Sequence, residues 1–160
     1  MSIKNTNLPI LLVMVWAWVG ACADGLPDPL ITPGALNPEV NPDTIATTIC
    51  ARGYTKTIRP HSNYTDRLKK LQLARYGYED RNPRQYEEDH LIALSIGGAA
   101  SDTNNLWPQP RQGRWSAREK DQLEGVLHRM VCAGLLPLRQ AQQAMVKDWI
   151  ESYQHYVRRR

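Results

Sequence analysis

The run Tyr86-Glu87-Glu88-Asp89-His90-Leu91-Ile92 sets acidic side chains directly against a histidine. A neutral imidazole takes a proton near neutral pH, and a carboxylate beside it can hold a divalent cation. An Asp-His pair alone means little, because a half-buried histidine satisfied by its neighbouring acid is the ordinary case. The spacing around this pair is less ordinary. Gly97-Gly98 begins seven residues after His90, and Asn105-Leu106 begins seven residues after Gly98.

With Asn104-Asn105-Leu106-Trp107-Pro108 added, this pattern resembles the HNH, or His-Me finger, nucleases, whose ββα-metal finger is two strands joined by a loop and followed by a helix. The resemblance runs from Tyr86 to His128. The flanking stretches, Thr48-Ile49-Cys50 through Arg59-Pro60 and Val131-Cys132 through Asp148-Trp149, resemble exported bacterial proteins of the same group. The resemblance implies that His90 is the general base, Asp89 a metal ligand, and Asn105 the asparagine that braces the loop. Gly97 and Gly98 permit the tight turn between the two halves.

Phosphodiester hydrolysis suits such a set, since it needs a deprotonated nucleophile and neutralised charge on the leaving oxygen. Successive side chains of a strand face opposite sides, so Asp89 and His90 need a local distortion to serve one cleft. The resemblance implies that the finger supplies it. The chain departs from the family in the helix, where a His or Asn usually completes the metal site. Here Ala117, Asp121, Glu124 and His128 share one stripe, so Asp121, Glu124 or His128 is the expected further ligand. The alternative is a solvated acidic edge paired with Lys120 or Arg118. Carboxylate ligands favour Mg²⁺ or Mn²⁺, and a contribution from His128 shifts the preference towards Zn²⁺. No Cys-x-x-Cys pair occurs, which excludes a zinc-stapled finger. Arg111, Arg114 and Lys120 are candidate substrate contacts. Trp107 and Trp115 either stack on a single strand or pack in the core.

The elements that must position these residues are partly readable. Residues 1–23 have the plan of a secretory signal peptide: Lys4 in a polar start, then an apolar run from Leu8 to Ala21 that is too short for a membrane span. Two cleavage routes compete. Ala21-Cys22-Ala23 fits ordinary removal before Asp24, whereas Val19-Gly20-Ala21-Cys22 resembles a lipobox ending at Ala21, with Cys22 lipidated. Either route leaves Cys50 and Cys132 as an even pair, expected as a disulfide in an oxidising compartment, with two buried free thiols as the alternative. The bridge would tie the far end of the helix to the N-terminal strand. Removing the leader takes Lys4 and no acidic residue, so the net charge falls from +4 to +3, which permits nucleic-acid binding without demonstrating it.

Residues 24–43, with five prolines, read as a tether or a segment laid over the surface. The folded domain is expected over 44–160. Thr47 to Arg59 reads as one or two strands. Asp66 to Tyr76 reads as a helix with Leu68, Leu71 and Ala74 at helical spacing and Arg67, Lys69, Lys70 and Arg75 on its other face, which is either a solvated basic face or one that contacts phosphates. Ser116-Ala117-Arg118-Glu119 is a capping-box signature. A last helix runs from Leu138 to about Tyr156, with Leu138, Ala141, Met145, Trp149 and Tyr153 on one face, and a basic tail follows.

The expected fold is α+β, a ββα-metal finger with N-terminal strands and a helix before it and a C-terminal helix after it. The expected function is an exported, metal-dependent endonuclease acting on DNA or RNA, periplasmic or attached to the outer membrane through lipidated Cys22. The alternative is a non-catalytic envelope lipoprotein that uses the finger as a binding scaffold. The sequence assigns no oligomeric state.

Overall fold

The computed structural model describes residues 25–158. The expected leader over 1–23, the lipidation at Cys22, and Arg159 and Arg160 of the basic tail lie outside the described residues. The described chain is α+β. Helices α1 (Tyr54–Ile58) and α2 (Ser62–Arg75) precede a two-stranded antiparallel ribbon of β1 (Tyr86–His90) and β2 (Leu106–Pro110). Helices α3 (Ala117–Cys132) and α4 (Leu138–Tyr153) follow it.

The ribbon register explains how two prolines fit in β2. Asp89 stands opposite Trp107, Glu88 opposite Pro108 and Tyr86 opposite Pro110. Ladder bonds continue beyond the strand ends from Leu91 N–H to Asn105 O (2.7 Å) and from Arg111 N–H to Gln85 O (2.9 Å). Antiparallel pairs alternate between bonded and non-bonded, so Pro108 and Pro110 fall on pairs that need no N–H. The same alternation fixes the faces. Glu88, His90 and Leu106 look towards α2, whose Gln72 side chain donates to Leu106 O (2.9 Å). Asp89 and fully buried Trp107 look towards α3 and the core.

Helix α3 opens as expected: the Glu119 carboxylate accepts from the Ser116 N–H (3.1 Å) and hydroxyl (2.6 Å). In α4 the predicted stripe Leu138, Ala141, Met145, Trp149 and Tyr153 is buried throughout. Asp148 breaks helical geometry inside α4, and its carboxylate caps the N–H groups of Ile150 and Glu151. The core joins these two helices to Trp107, Ile92 and Ile96.

Three expectations are corrected. The folded unit does not start at Thr44. Residues 34–37, the proline-free stretch between Pro33 and Pro38, bond to the loop between the strands: Gly34 N–H to Asn104 O (2.8 Å), Asn37 N–H to Gly97 O (2.9 Å) and Ala99 N–H to Ala35 O (2.9 Å). Thr32 and Val40 are buried, so the proline-rich segment is part of the fold. Thr47 to Arg59 forms turns and α1 rather than strands. Its threonines bond locally, Thr47 and Thr48 both donating to Thr44 O (3.1 and 2.7 Å), which competes with strand pairing. In α2 the inward face is Lys69, Gln72 and Leu73, while Leu71 and Ala74 are exposed. Polar bonding to the ribbon, not the apolar spacing, orients that helix.

Between the strands, Asn105 ties the loop. Its side chain accepts from Ile92 N–H (2.9 Å) and donates to Ile92 O (3.0 Å) and Ala99 O (3.0 Å). Gly98 lies against this knot: a Cβ there would sit 1.7 Å from Ile92 O and 2.8 Å from the Asn105 amide nitrogen. Gly77, at φ +70° with open space around it, is the natural comparison. Gly98→Ala is expected to cost at least ~2 kcal/mol because backbone must move. Gly77→Ala should cost only about 1 kcal/mol of backbone conformation. Urea unfolding of both variants checks the ranking, and equal costs would contradict the loop geometry.

Candidate functional site

The centre of the site is a lysine with no exposed surface. Lys120, in the first turn of α3, donates to Asp89 Oδ2 (2.7 Å), to the His90 carbonyl (2.6 Å) and to Glu124 Oε1. An ammonium has three N–H donors, and all three are used. Burial alone would depress the Lys120 pKa, but the charges and hydrogen bonds of Asp89 and Glu124 outweigh it and raise it. Burial likewise works to raise the Asp89 carboxyl, and the Lys120 charge and hydrogen bond overcome this and hold it below the usual range. Glu124 is the softer partner, pushed by burial to about 7, with Lys120 only partly offsetting.

On the opposite face of β1 stands His90, also buried. Its Nε2 lies 2.9 Å from Ala100 O. A carbonyl only accepts, so Nε2 carries the hydrogen and Nδ1 keeps its lone pair. Burial lowers the His90 pKa, which favours the neutral ring. His90 and Glu88 line one cavity with Arg59, Lys69 and Arg111. Lys69 and Arg111 are shared with an adjoining depression that adds Lys70 and Arg84. The result is a groove of mixed charge beside the imidazole, since Asp66 and Glu87 line it too, paired with Lys69 (3.3 Å) and Arg111 (2.8 Å). Both Glu88 carboxyl oxygens are buried and meet no hydrogen-bond partner among the described residues. Burial pushes the Glu88 pKa to about 8, with Lys69 partly opposing and Asp89 adding to it.

The expected metal ligands Asp89, Asp121, Glu124 and His128 do not form one cluster. Among the described residues, the ligand atoms that converge are those of Cys50, His128 and Cys132, within 4.8 Å of one another. Asp89 and Glu124 do face a common point, but the Lys120 ammonium fills it. A divalent ion there would have to expel a buried cation from three acceptors, so these residues do not fit the metal that the resemblance implies. Asp121 is exposed, and its carboxyl is raised by partial burial and the nearby Asp89 charge. His128 turns to the other end of α3, where its Nε2 lies 2.9 Å from Ile49 O. There Cys50 and Cys132 form a disulfide with a Cα–Cα distance of 5.6 Å, which joins α3 to a turn rather than to a strand. The Cys–His–Cys group can hold a metal ion only when its sulfurs are free thiolates.

The proposed substrate contacts also separate. Lys120 is wholly enclosed and cannot touch a ligand. Arg111 edges the groove while pairing with Glu87 (2.8 Å). Arg114 lies over the Trp115 ring, which packs edge-on to Trp149 and Tyr153. Trp107 is core. The sequence reading passed over Glu88 and Arg59 as site residues, whereas Lys69 stood on a basic helix face with a solvated and a phosphate-contacting reading. Strand period two offered a signal for Glu88, two residues before His90; nothing comparable marked Arg59. No family model, curated protein or solved structure matches the chain.

Two outcomes follow. Lys120→Met leaves Asp89 and Glu124 facing each other without a cation, at an expected cost of about 3–5 kcal/mol in urea unfolding; a cost under ~1 kcal/mol would show that the trio does not hold α3 to β1. The second concerns pH. The folded-state pKa of Glu88 stands above the ordinary 4.5, so the folded protein binds a proton that the unfolded chain releases between these values. Stability is therefore expected to fall as pH rises through this window and to level off above about 8. Glu124 contributes a similar slope that ends near its own value of about 7. Melting temperatures of the wild type and Glu88→Gln at pH 5, 7 and 8.5 separate the two: the decline above pH 7 should vanish in the variant.

Proposed function

We propose that the protein is a nuclease acting outside the cytoplasm, with His90 as the base that activates the nucleophile. The observation that carries this reading is the His90 imidazole, fixed by Ala100 O through Nε2 and lining a groove with Arg59, Lys69 and Arg111. A phosphodiester strand is a polyanion, and the basic excess that Lys70 and Arg84 of the adjoining depression add to Arg59 and to the acid-paired Lys69 and Arg111 is suited to meet its backbone without reading sequence. A neutral histidine at the end of the groove is suited to general-base catalysis. The order ribbon, then α3, with Asn105 bracing the loop, supports the ββα-finger reading of the fold. The leader-like start and the Cys50–Cys132 disulfide support export. Among the described residues no helix is long and apolar enough to cross a membrane.

A second reading, a non-catalytic envelope scaffold, draws support from Lys120, which fills the point where the resemblance implies a metal. Disulfide-bonded protein incubated with plasmid DNA and with RNA, in Mg²⁺, Mn²⁺, Zn²⁺ or chelator, distinguishes the two. Cleavage by the wild type, reduced about 10²–10⁴-fold in His90→Ala, is the expected result. Wild type and variant equally inert in every condition, but still retaining nucleic acid, would put the scaffold in its place.

A further inference from the structure

We infer that Cys50, His128 and Cys132 form a zinc site in the reduced protein, alternating with the Cys50–Cys132 disulfide. The site lies at the opposite end of α3 from Lys120 and is separate from the groove at His90. The first ground is convergence. One ligand atom from each of the three residues lies within 4.8 Å of the other two. A tetrahedral zinc ion, with Zn–S of about 2.3 Å and Zn–N of about 2.0–2.1 Å, needs such atoms roughly 3.5–3.8 Å apart. The Cα atoms of Cys50 and Cys132 stand 5.6 Å apart, so two sulfurs released from each other can reach that spacing by side-chain rotation alone.

The second ground is the setting of the histidine. A disulfide does not require an imidazole beside it, yet His128 is fixed there, its Nε2 lying 2.9 Å from Ile49 O. The carbonyl only accepts, so Nε2 carries the hydrogen and the lone pair stays on Nδ1. Metal-bound histidines are held in this way, the second ring nitrogen donating to a carbonyl or carboxylate that fixes the tautomer. His128 and Cys132 are also four residues apart in α3 and share a face. They stand at the C-terminal end of that helix, where the free carbonyls favour a cation.

The third ground is access. Cys132 is exposed and Cys50 half-buried, so a thiolate can reach the bridge, and exposed disulfides are the ones open to exchange. In the step, a dithiol reductant attacks one sulfur of the bridge as its thiolate. The Cys50–Cys132 bond breaks, two electrons pass to the cysteine pair, and the reductant leaves as a disulfide. Zn²⁺ then displaces one proton from each thiol and binds two thiolates and the neutral imidazole, which leaves its fourth position to water. Both forms tie the end of α3 to the turn that carries Cys50, so the exchange adds or removes a metal ion while the helix stays anchored.

The test compares the disulfide-bonded protein with protein reduced by tris(carboxyethyl)phosphine. Each is titrated without oxygen, with Zn²⁺ against a chromophoric chelator and with Co²⁺ as a spectroscopic probe. The reduced form should bind one ion per chain, release two protons, and show a sulfur-to-cobalt charge-transfer band with the visible bands of tetrahedral Co²⁺. The disulfide form should show none of these. His128→Ala should bind at least about 10²-fold more weakly, the upper range for losing even an outer-shell partner. Cys50→Ser combined with Cys132→Ser should abolish the charge-transfer band. Melting temperature guards against binding by an unfolded chain: Zn²⁺ should raise that of the reduced wild type and not that of the double variant. A reduced wild type that binds no Zn²⁺, gains no melting temperature from it, or binds it as tightly after His128→Ala would overturn the site. Equal binding before and after reduction would place the ion elsewhere and overturn it too.

Discussion

A lysine ammonium is stripped of water only where the protein replaces every hydrogen bond it loses and offsets its charge. Lys120 meets that demand with one carboxylate from β1, one from α3 and one backbone carbonyl at the end of β1. The position of α3 against the ribbon is therefore set by polar geometry as much as by packing. Apolar contacts alone tolerate sliding of a helix; three bonds to one nitrogen do not. At the other end of the same helix, Cys132 is bonded to Cys50 and His128 meets Ile49 O. Helix α3 is thus pinned near both ends, and the strand that carries His90 is held against a rigid support.

The loop between the strands supplies the second constraint. His90 is useful as a base only if its ring cannot turn, and its Nε2 partner, Ala100 O, lies in that loop. Asn105 fixes the loop from inside through Ile92 and Ala99. The N-terminal segment fixes it from outside through Ala35 and Asn37. Residues distant in sequence from the imidazole thereby determine which of its nitrogens is free.

Much of this was legible in the sequence for identifiable reasons. The ribbon and loop are marked by residues with few substitutes: Gly98, where no Cβ fits, and an asparagine with bonds in both directions. Helices α3 and α4 are marked by a capping box and a continuous apolar stripe. The Thr47–Arg59 region was misleading because β-branched threonines can also satisfy their hydroxyls locally in turns. Lys120 was misjudged because a lysine is expected in water. Yet it precedes Leu123 by three and Leu127 by seven, on the very stripe that faces the core. A charged residue on an apolar stripe, with a glutamate four residues on, signals a buried ion pair, and residue type was given more weight than position.

Strand alternation then divides the labour. The odd position, Asp89, is committed to holding α3 through Lys120. The even positions, Glu88 and His90, face the groove beneath α2. Adjacent residues that a shared cleft would require to converge instead stand back to back across one backbone. The two prolines of β2 are compatible with this because they occupy the non-bonded pairs and leave the pleat regular. With no distortion in the ribbon to bring Asp89 round to His90, a cation held by Asp89 lies on the wrong face to meet a phosphate at the imidazole. The charge that stabilises the fold and the charge that would meet a substrate are therefore separate, Lys120 on one side of β1 and Arg59, Lys69 and Arg111 on the other.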